Sequence, residues 1–201
     1  MAQALILGSG RHLHLKQADL EALFGPGAVL TVKRYLNETH PEGGFLSEQH
    51  VTVVGPKGQF TVSVLGDVRP YTQVEVSLTD AKFLGVQPVM SDSGRLTGTA
   101  PCKLVGPAGE LELKEGLMVV RRHVHMSKED LAELGCKPGD FVRIRVPGPR
   151  ALTFEQVLVA KQFEGMASLV HIDYDEMNAA GIENKDHVMG ELQFFCDQEE
   201  R

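Results

Sequence analysis

The tetrapeptide Arg-His-x-His occurs twice in this chain of 201 residues, at Arg11–His14 and at Arg122–His125. Each copy opens a longer similar phrase, which continues through Leu15–Leu23 in the first and Met126–Leu134 in the second. In a β-strand, residues i and i+2 point to the same face about 7 Å apart, so both imidazoles of a copy can face one ion. A repeated pair of this kind is difficult to explain by core packing, and it predicts two copies of half a metal site.

A second repeated phrase supplies a third candidate ligand for each half-site. Gln73–Val86 resembles Leu169–Ile182, and the alignment places Glu75 opposite His171 in the middle of a strand-like segment. Three nitrogen or carboxylate ligands suit Zn²⁺ and leave a fourth position open, as at catalytic zinc sites, although other divalent ions accept the same ligands. The predicted ligand sets are His12, His14 and Glu75 in the first half, and His123, His125 and His171 in the second.

These residues also have simpler interpretations. A single His-x-His pair is more often an exposed or hydrogen-bonded pair than a pair of metal ligands, and a buried Glu75 could simply pair with a basic residue. Duplication in a matching context favours ligation over both.

The chain is divided by Gly and Pro into short segments with the alternation and β-branching of strands, and the helices it predicts are few and short. This pattern favours a barrel or a sandwich. We predict two similar β-rich units at 1–86 and 115–201, joined by connecting strands at 87–114 that can complete either unit. A capping box at Ser127–Asp130 predicts the start of a helix that ends at Gly135.

Composition excludes several classes of protein. A net charge of −7 argues against a general nucleic-acid-binding protein. No apolar run approaches the roughly 20 residues of a membrane-spanning helix. Cys102, Cys136 and Cys196 are odd in number and far apart, which indicates reduced thiols rather than a disulfide framework or a Cys-based zinc site.

Two basic residues are candidates for binding anions. Arg69 precedes Glu75 by six residues, and a guanidinium can bind phosphate through two parallel hydrogen bonds; its alternative is a salt bridge to Asp67. Lys57 lies in a Gly-Pro-Lys-Gly turn and could reach a nucleotide phosphate, or it is an ordinary exposed turn lysine.

Taken together, the motifs resemble the phosphate propanoyltransferase family of phosphotransacylases. The resemblance runs from about residue 9 to 190 and rests on motifs that stand in the family's order: Arg11–Leu15, Thr72–Ser77, Ser93–Gly94, Arg122–Met126 and His171–Ala179. Each motif alone is weak evidence for the family, whereas five motifs in the family's order are specific to it.

The resemblance implies two similar β-barrel domains capped by short helices, with a two-metal site between them. It implies reversible transfer of a short acyl group, acetyl or propanoyl, between coenzyme A and phosphate. Because no serine or cysteine nucleophile is needed, we expect direct transfer in a ternary complex. The resemblance assigns the metals to the six ligands above and phosphate to Arg69. It further implies coenzyme A contacts at Gly8, Ser9, Gly10, Lys57 and Asn178.

The chain departs from the family where Gly10 replaces the usual Asn and Ser63 replaces a frequent Arg. The family's microcompartment members carry an amphipathic extension before the first motif. Only about ten residues precede Arg11 here, so we expect a free cytoplasmic enzyme. Homo-oligomers are common among such enzymes.

Two other functions are compatible with the ligand sets. A dinuclear zinc hydrolase would use the open metal positions to activate water and would cleave an acyl phosphate or thioester without an acceptor thiol. A metal-storage or small-ligand-binding barrel would contain metal, show no turnover and have no need of Arg69.

Overall fold

A computed structural model of the protein describes residues 1–36 and 44–194. It divides the chain into two compact units, one made of Gly10–Val120 and the other of Met1–Ser9 together with Arg121–Arg201. Each unit contains a closed barrel of six strands, which confirms the predicted mainly-β fold of two barrels with short helices.

The unit Gly10–Val120 is called the first barrel. Its strands close in the order β4-β5-β2-β6-β9-β8, because β8 pairs with both β4 and β9. The short strands β3 and β7 add to β4 and β9. The elements are β2 (His12–His14), α1 (Gln17–Phe24), β3 (Val32–Tyr35), β4 (Phe45–Val54), β5 (Gln59–Gly66), β6 (Gln73–Glu75), α2 (Leu78–Leu84), β7 (Met90–Ser91), β8 (Ala100–Val105) and β9 (Glu110–Val120).

The other unit is called the second barrel. Its strands close in the order β1-β13-β10-β12-β11-β14, and β14 pairs with β1. The elements are β1 (Gln3–Ser9), β10 (His123–Ser127), α3 (Lys128–Leu134), β11 (Phe141–Val146), β12 (Leu152–Phe163), β13 (Leu169–Asp173), α4 (Tyr174–Ala180), a 3-10 helix (Asn184–Asp186) and β14 (Met189–Gln193).

The unit boundaries differ from those predicted, because the strand before each Arg-His-x-His motif belongs to the other motif's barrel. β1 precedes His12 in the chain but pairs with β13, where Ile6 lies opposite Val170. The end of β9 precedes His123 but pairs with β6, where Leu117 lies opposite Val74. The predicted connecting segment 87–114 therefore lies wholly in the first barrel.

Each barrel has its own core, formed by the alternate residues of its strands. Val62 and Val64 of β5 face the first core, and Val142, Ile144 and Val146 of β11 face the second. Burying a side chain of this size contributes about 1.5–3 kcal/mol. The alternation assigns one face of every strand to the core and leaves the opposite face for polar side chains.

The helix predicted after the second His-x-His pair forms as expected, but its capping box is only half made. Ser127 accepts a hydrogen bond from the Asp130 amide, and the helix ends at Gly135 in a left-handed conformation. Asp130 does not return the bond to the Ser127 amide, because its carboxylate accepts a hydrogen bond from Ser168 instead. The Ser127 amide donates to the Ser168 hydroxyl.

No helix in the described ranges has the length and apolar character required to cross a membrane. Cys102 and Cys136 are free thiols, in agreement with the sequence analysis, and Cys196 lies outside the described residues.

Candidate metal centres

The first triad forms where β2 pairs antiparallel with β6. His12 lies opposite Glu75 in this pairing, and Leu13 lies opposite Val74. Leu13 and Val74 are fully buried in the core, so the flanking His12, His14 and Glu75 side chains share the other face. One potential ligand atom from each of these three residues lies within 4.8 Å of the other two.

The spacing of these atoms fits a metal ion. The Nε2 atom of His12 lies 3.4 Å from one Glu75 oxygen, and Nε2 of His14 lies 3.9 Å from the other. Ligand bonds of 2.0–2.1 Å in a tetrahedral zinc site place neighbouring ligand atoms roughly 3.3 Å apart. Small side-chain adjustments would bring all three onto one ion.

The second triad repeats this register in the second barrel. β10 pairs antiparallel with β13, His123 lies opposite His171, and the core residue Val124 lies opposite Val170. The ring centroids of His123, His125 and His171 are each 5.1 Å from the other two. The two repeated phrases therefore meet in the same way in both barrels, and three imidazoles converge in the second.

Backbone carbonyl groups orient the histidines. The Nδ1 atom lies 2.7 Å from the Gly10 oxygen in His12 and 2.9 Å from the Arg121 oxygen in His123. Nδ1 of His14 lies 3.1 Å from the Leu65 oxygen. A carbonyl oxygen only accepts hydrogen bonds, so Nδ1 carries the proton and Nε2 keeps its lone pair for a metal.

Glu75 is oriented by neighbouring polar side chains. Gln73 donates to a Glu75 oxygen at 2.6 Å, and the Ser93 hydroxyl lies 3.4 Å from the same oxygen. The Gly94 amide donates to the side-chain oxygen Oε1 of Gln73 at 2.7 Å and thereby fixes that side chain. The Ser93–Gly94 motif therefore acts on the carboxylate ligand, a role that the sequence did not reveal.

Burial keeps two of the histidines, His14 and His125, neutral. It is the largest cause that lowers the pKa of His14 to about 3, and electrostatic interactions with His12 and Arg69 add to it. Burial also lowers the pKa of His125 to about 3, with further contributions from His123 and Lys161. Both imidazoles therefore stay neutral down to pH values far below 7, and a histidine must be neutral to bind a metal.

These shifts predict that the metal-free protein loses stability as the pH falls. Unfolded His14 takes up a proton near pH 6.5, whereas folded His14 does so only near pH 3. Between these values the unfolded state binds more protons, so acidification favours unfolding by up to about 1.4 kcal/mol per pH unit for this residue. Urea unfolding of chelator-treated protein at pH 7, 6 and 5 measures the slope.

The variant H14Q should show a shallower slope over this range, because it lacks the titrating group. H187N, which replaces an exposed histidine of the second barrel, is the control. Equal slopes in wild type and H14Q would contradict the assignment of the effect to His14.

Arg69 lies beside the first triad, close enough for its charge to lower the pKa of His14. Its amide donates to the Leu15 carbonyl oxygen at 2.8 Å, which ties the segment after β5 to the end of β2. Its guanidinium is 3.4 Å from the Tyr71 hydroxyl. The expected alternative partner, Asp67, forms no ion pair with Arg69 within the described part of the chain.

A duplicated carboxylate–hydroxyl pair joins the ligand strands of each barrel. The Thr72 hydroxyl donates to Asp19 at 2.6 Å and accepts from the Lys16 amide. In the second barrel the Ser168 hydroxyl donates to Asp130 at 2.5 Å. The carboxylate lies in the helix that follows the His-x-His strand, which is α1 in the first barrel and α3 in the second. The hydroxyl lies directly before the strand that carries the third residue of the triad, so each pair fixes that helix to the start of that strand.

The arginine of each motif makes a second duplicated link. Arg11 forms an ion pair with Asp80 of α2 at 2.8 Å and stacks on the Phe60 ring at 4.4 Å. In the second barrel Arg122 forms an ion pair with Glu176 of α4 at 3.1 Å and lies over the Phe154 ring at 5.3 Å.

In both barrels the acidic partner is the third residue of the helix that follows the third ligand. Each arginine thus connects the first two ligands to the third. The sequence analysis missed these roles, although the repeated arginine was visible in the alignment.

The glycines predicted to bind coenzyme A have structural roles. The Gly8 amide donates to Asn184 at 2.6 Å, and a Cβ at Gly8 would lie only 2.9 Å from the Tyr174 ring. The Gly10 carbonyl oxygen accepts the His12 hydrogen bond described above. Ser9 is the last residue of β1.

The two other predicted coenzyme A residues lie on the two barrels separately. Lys57 lies in the β4–β5 turn, where it packs against Gly85 at the end of α2 that is remote from Glu75. Asn178 is an exposed residue of α4 in the second barrel.

The fold and these sites define a protein of two six-stranded barrels, each with a histidine-rich triad at the pairing of two strands. The model of the phosphate propanoyltransferase family matches residues 6–183. The chain belongs to this family, as its motifs indicated, and it is therefore an acyltransferase.

Curated relatives agree over most of their length. A phosphate propanoyltransferase of Thermotoga maritima is 43% identical over 187 residues, covering 92% of this chain and 87% of the relative. One of Rhodobacter capsulatus is 42% identical over 177 residues, covering 88% and 80%. One of Clostridioides difficile is 41% identical over 174 residues, covering 86% and 81%.

Proposed function

We propose that the protein transfers a short acyl group, acetyl or propanoyl, reversibly between coenzyme A and inorganic phosphate, with two bound divalent metal ions that are most often Zn²⁺ at such ligand sets. The names of the relatives support phosphate as one substrate and a propanoyl group as the group that is transferred. The observation that carries the proposal is the position of Arg69 beside the first triad, where its charge lowers the pKa of His14.

The triads fit metal ions by the chemistry of their donors. The first triad offers two imidazoles and a carboxylate, and the second offers three imidazoles. Hydrogen bonds at Nδ1 leave the Nε2 atoms of His12, His14 and His123 available. When bound, a divalent ion supplies Lewis acidity that polarises a carbonyl or phosphate oxygen and favours the thiolate form of a thiol.

Arg69 binds phosphate in this proposal. Its planar guanidinium offers two parallel donors to the oxyanion and holds it beside His14 in one orientation. A phosphate oxygen attacks the thioester carbonyl carbon, a C–O bond forms, the C–S bond breaks, and coenzyme A leaves as the thiolate with the electron pair of that bond. Holding both substrates in this geometry lowers the entropic part of the barrier.

No protein nucleophile is required. Burial raises the pKa of the Cys102 thiol to about 12, and this side chain lies in the first core. Burial also raises the pKa of Cys136, which packs against the second core. Ser93 uses its hydroxyl to orient Glu75. These environments favour direct transfer over a covalent acyl-enzyme.

Coenzyme A would contact the positions that the family resemblance implies, which are Gly8, Ser9, Gly10, Lys57 and Asn178. Lys57 would supply a positive charge to a phosphate of the nucleotide.

Thiol release from acetyl-CoA and propanoyl-CoA, measured with and without phosphate, tests the proposal. We expect release that depends on phosphate and on metal, with the acyl phosphate as product. Release without phosphate, or cleavage of acyl phosphate without a thiol acceptor, would instead identify a metallohydrolase. Metal content without any turnover would indicate a storage or binding protein.

A further inference from the structure

A lysine that the sequence analysis did not single out lies beside the second triad. β10 and β12 run parallel, with His123 opposite Leu158 and Val124 opposite Val159. The register then shifts by one residue, so that His125 lies opposite Lys161 and Ala160 is the extra residue of a β-bulge. Without the bulge, the small Ala160 side chain would lie opposite His125 in place of Lys161. Bulges commonly re-aim a side chain next to an active site.

Aromatic contacts connect this lysine to the triad. The Lys161 Nζ atom lies 5.4 Å from the centroid of the Phe163 ring, and that ring lies 4.8 Å from the His125 ring. The charge of Lys161 is also among the causes that lower the pKa of His125. The ammonium group thus lies near the second histidine of its triad, as Arg69 does in the first barrel.

The charges of the two triads differ. The first candidate ligand set includes the carboxylate of Glu75, whereas the second consists of three imidazoles. A divalent ion in the second triad would keep its full charge, because no carboxylate of the triad offsets it. Lys161 adds a further positive charge. Within the ranges that the structure describes, Lys161 forms no ion pair with a carboxylate. Concentrated positive charge at a half-buried site favours an anionic ligand.

We infer that Lys161 binds a phosphate group of a substrate at the second triad. The inference deepens the proposed function and rests on it. An ammonium group is a compact charge with three donors and suits a phosphate oxyanion. That oxyanion belongs either to inorganic phosphate and the acyl phosphate, or to the phosphates of coenzyme A.

The variant K161Q tests the role, with K161R as the conservative variant and K128Q as the control at an exposed lysine of the same barrel. We expect K161Q to raise one substrate's KM about 10-fold or more, as loss of a charge-assisted hydrogen bond does. K161R should restore most of the affinity, and K128Q should match wild type. Metal content, measured by elemental analysis, should be unchanged in all three.

Two substrate comparisons identify the source of the phosphate. If Lys161 binds inorganic phosphate, K161Q raises the KM of phosphate alone. If it binds coenzyme A, K161Q raises the KM of acyl-CoA but not that of acyl-pantetheine, which lacks the phosphates.

KM values within twofold of wild type for every substrate would overturn the inference. The inference would also be overturned if K161Q lost metal and K161R did not restore it, because Lys161 would then have a structural role. If the wild type itself shows no turnover, the proposed function fails. Calorimetric titration of the metal-loaded protein with inorganic phosphate and with coenzyme A then decides: binding of either that K161Q weakens supports the inference, and equal or absent binding refutes it.

Discussion

Replacing His123 or His125 with alanine is expected to abolish acyl transfer together with metal binding at the second triad. Both side chains lie on one strand, and their rings are 5.1 Å apart and 5.1 Å from that of His171. Loss of an outer hydrogen-bond partner of a metal ligand already costs 10–100-fold, so loss of a ligand should reduce turnover about 10³-fold or more. Thiol release and elemental analysis of the same preparation measure both effects.

The control is H187N, at an exposed histidine of the same barrel, which should keep both metal and activity. Circular dichroism separates loss of metal from loss of fold. Full metal content in H123A or H125A would contradict the ligand assignment, whatever the activity.

Replacing Arg69 with alanine is expected to leave the metal bound and to reduce turnover roughly 10²–10³-fold, by analogy with the loss of one preorganised donor to an oxyanion. The guanidinium lies beside His14. Neither its contact with Tyr71 nor the hydrogen bond from the Arg69 amide to Leu15 involves a candidate ligand atom of the triad. Steady-state kinetics with varied phosphate should show the loss mainly in kcat/KM for phosphate.

R69K is the matched variant. Lysine keeps the charge but cannot form two parallel hydrogen bonds, so its activity should fall between those of wild type and R69A. Wild-type turnover in R69A would remove Arg69 from the reaction, and loss of metal in R69A would show that it supports the triad instead.

Much of each candidate centre could be predicted from repetition in the sequence. The alignment paired Glu75 with His171, and the structure places each of them directly opposite the first histidine of its own motif. This register is readable because alternation fixes it: Leu13 and Val74 must face the apolar core, and a slip by one residue would turn His12, His14 and Glu75 toward that core instead.

The unit boundaries could not be predicted in the same way. The apolar segment Ala4–Leu7 could complete either barrel, and nothing local shows that it pairs with Leu169–His171 more than 160 residues later. Pairing between distant strands is decided by the assembled sheet rather than by neighbouring residues.

The supporting contacts also depend on tertiary structure. Asp130 has the position and chemistry of a capping-box residue, and only the nearby Ser168 diverts its carboxylate. Lys161 lies opposite His125 because of a bulge at Ala160, which has no signature in the sequence. The repeated Arg11 and Arg122 were visible as a pattern, but their acidic partners became clear only with the helices in place.

Diffraction from crystals of the metal-loaded protein, recorded at the absorption edge of the bound metal, tests the central claim most directly. Our account predicts two anomalous peaks per chain, one about 2.0–2.2 Å from His12, His14 and Glu75, and one at the same distance from His123, His125 and His171. Peaks at other residues, or none at either triad in protein that releases thiol, would contradict it.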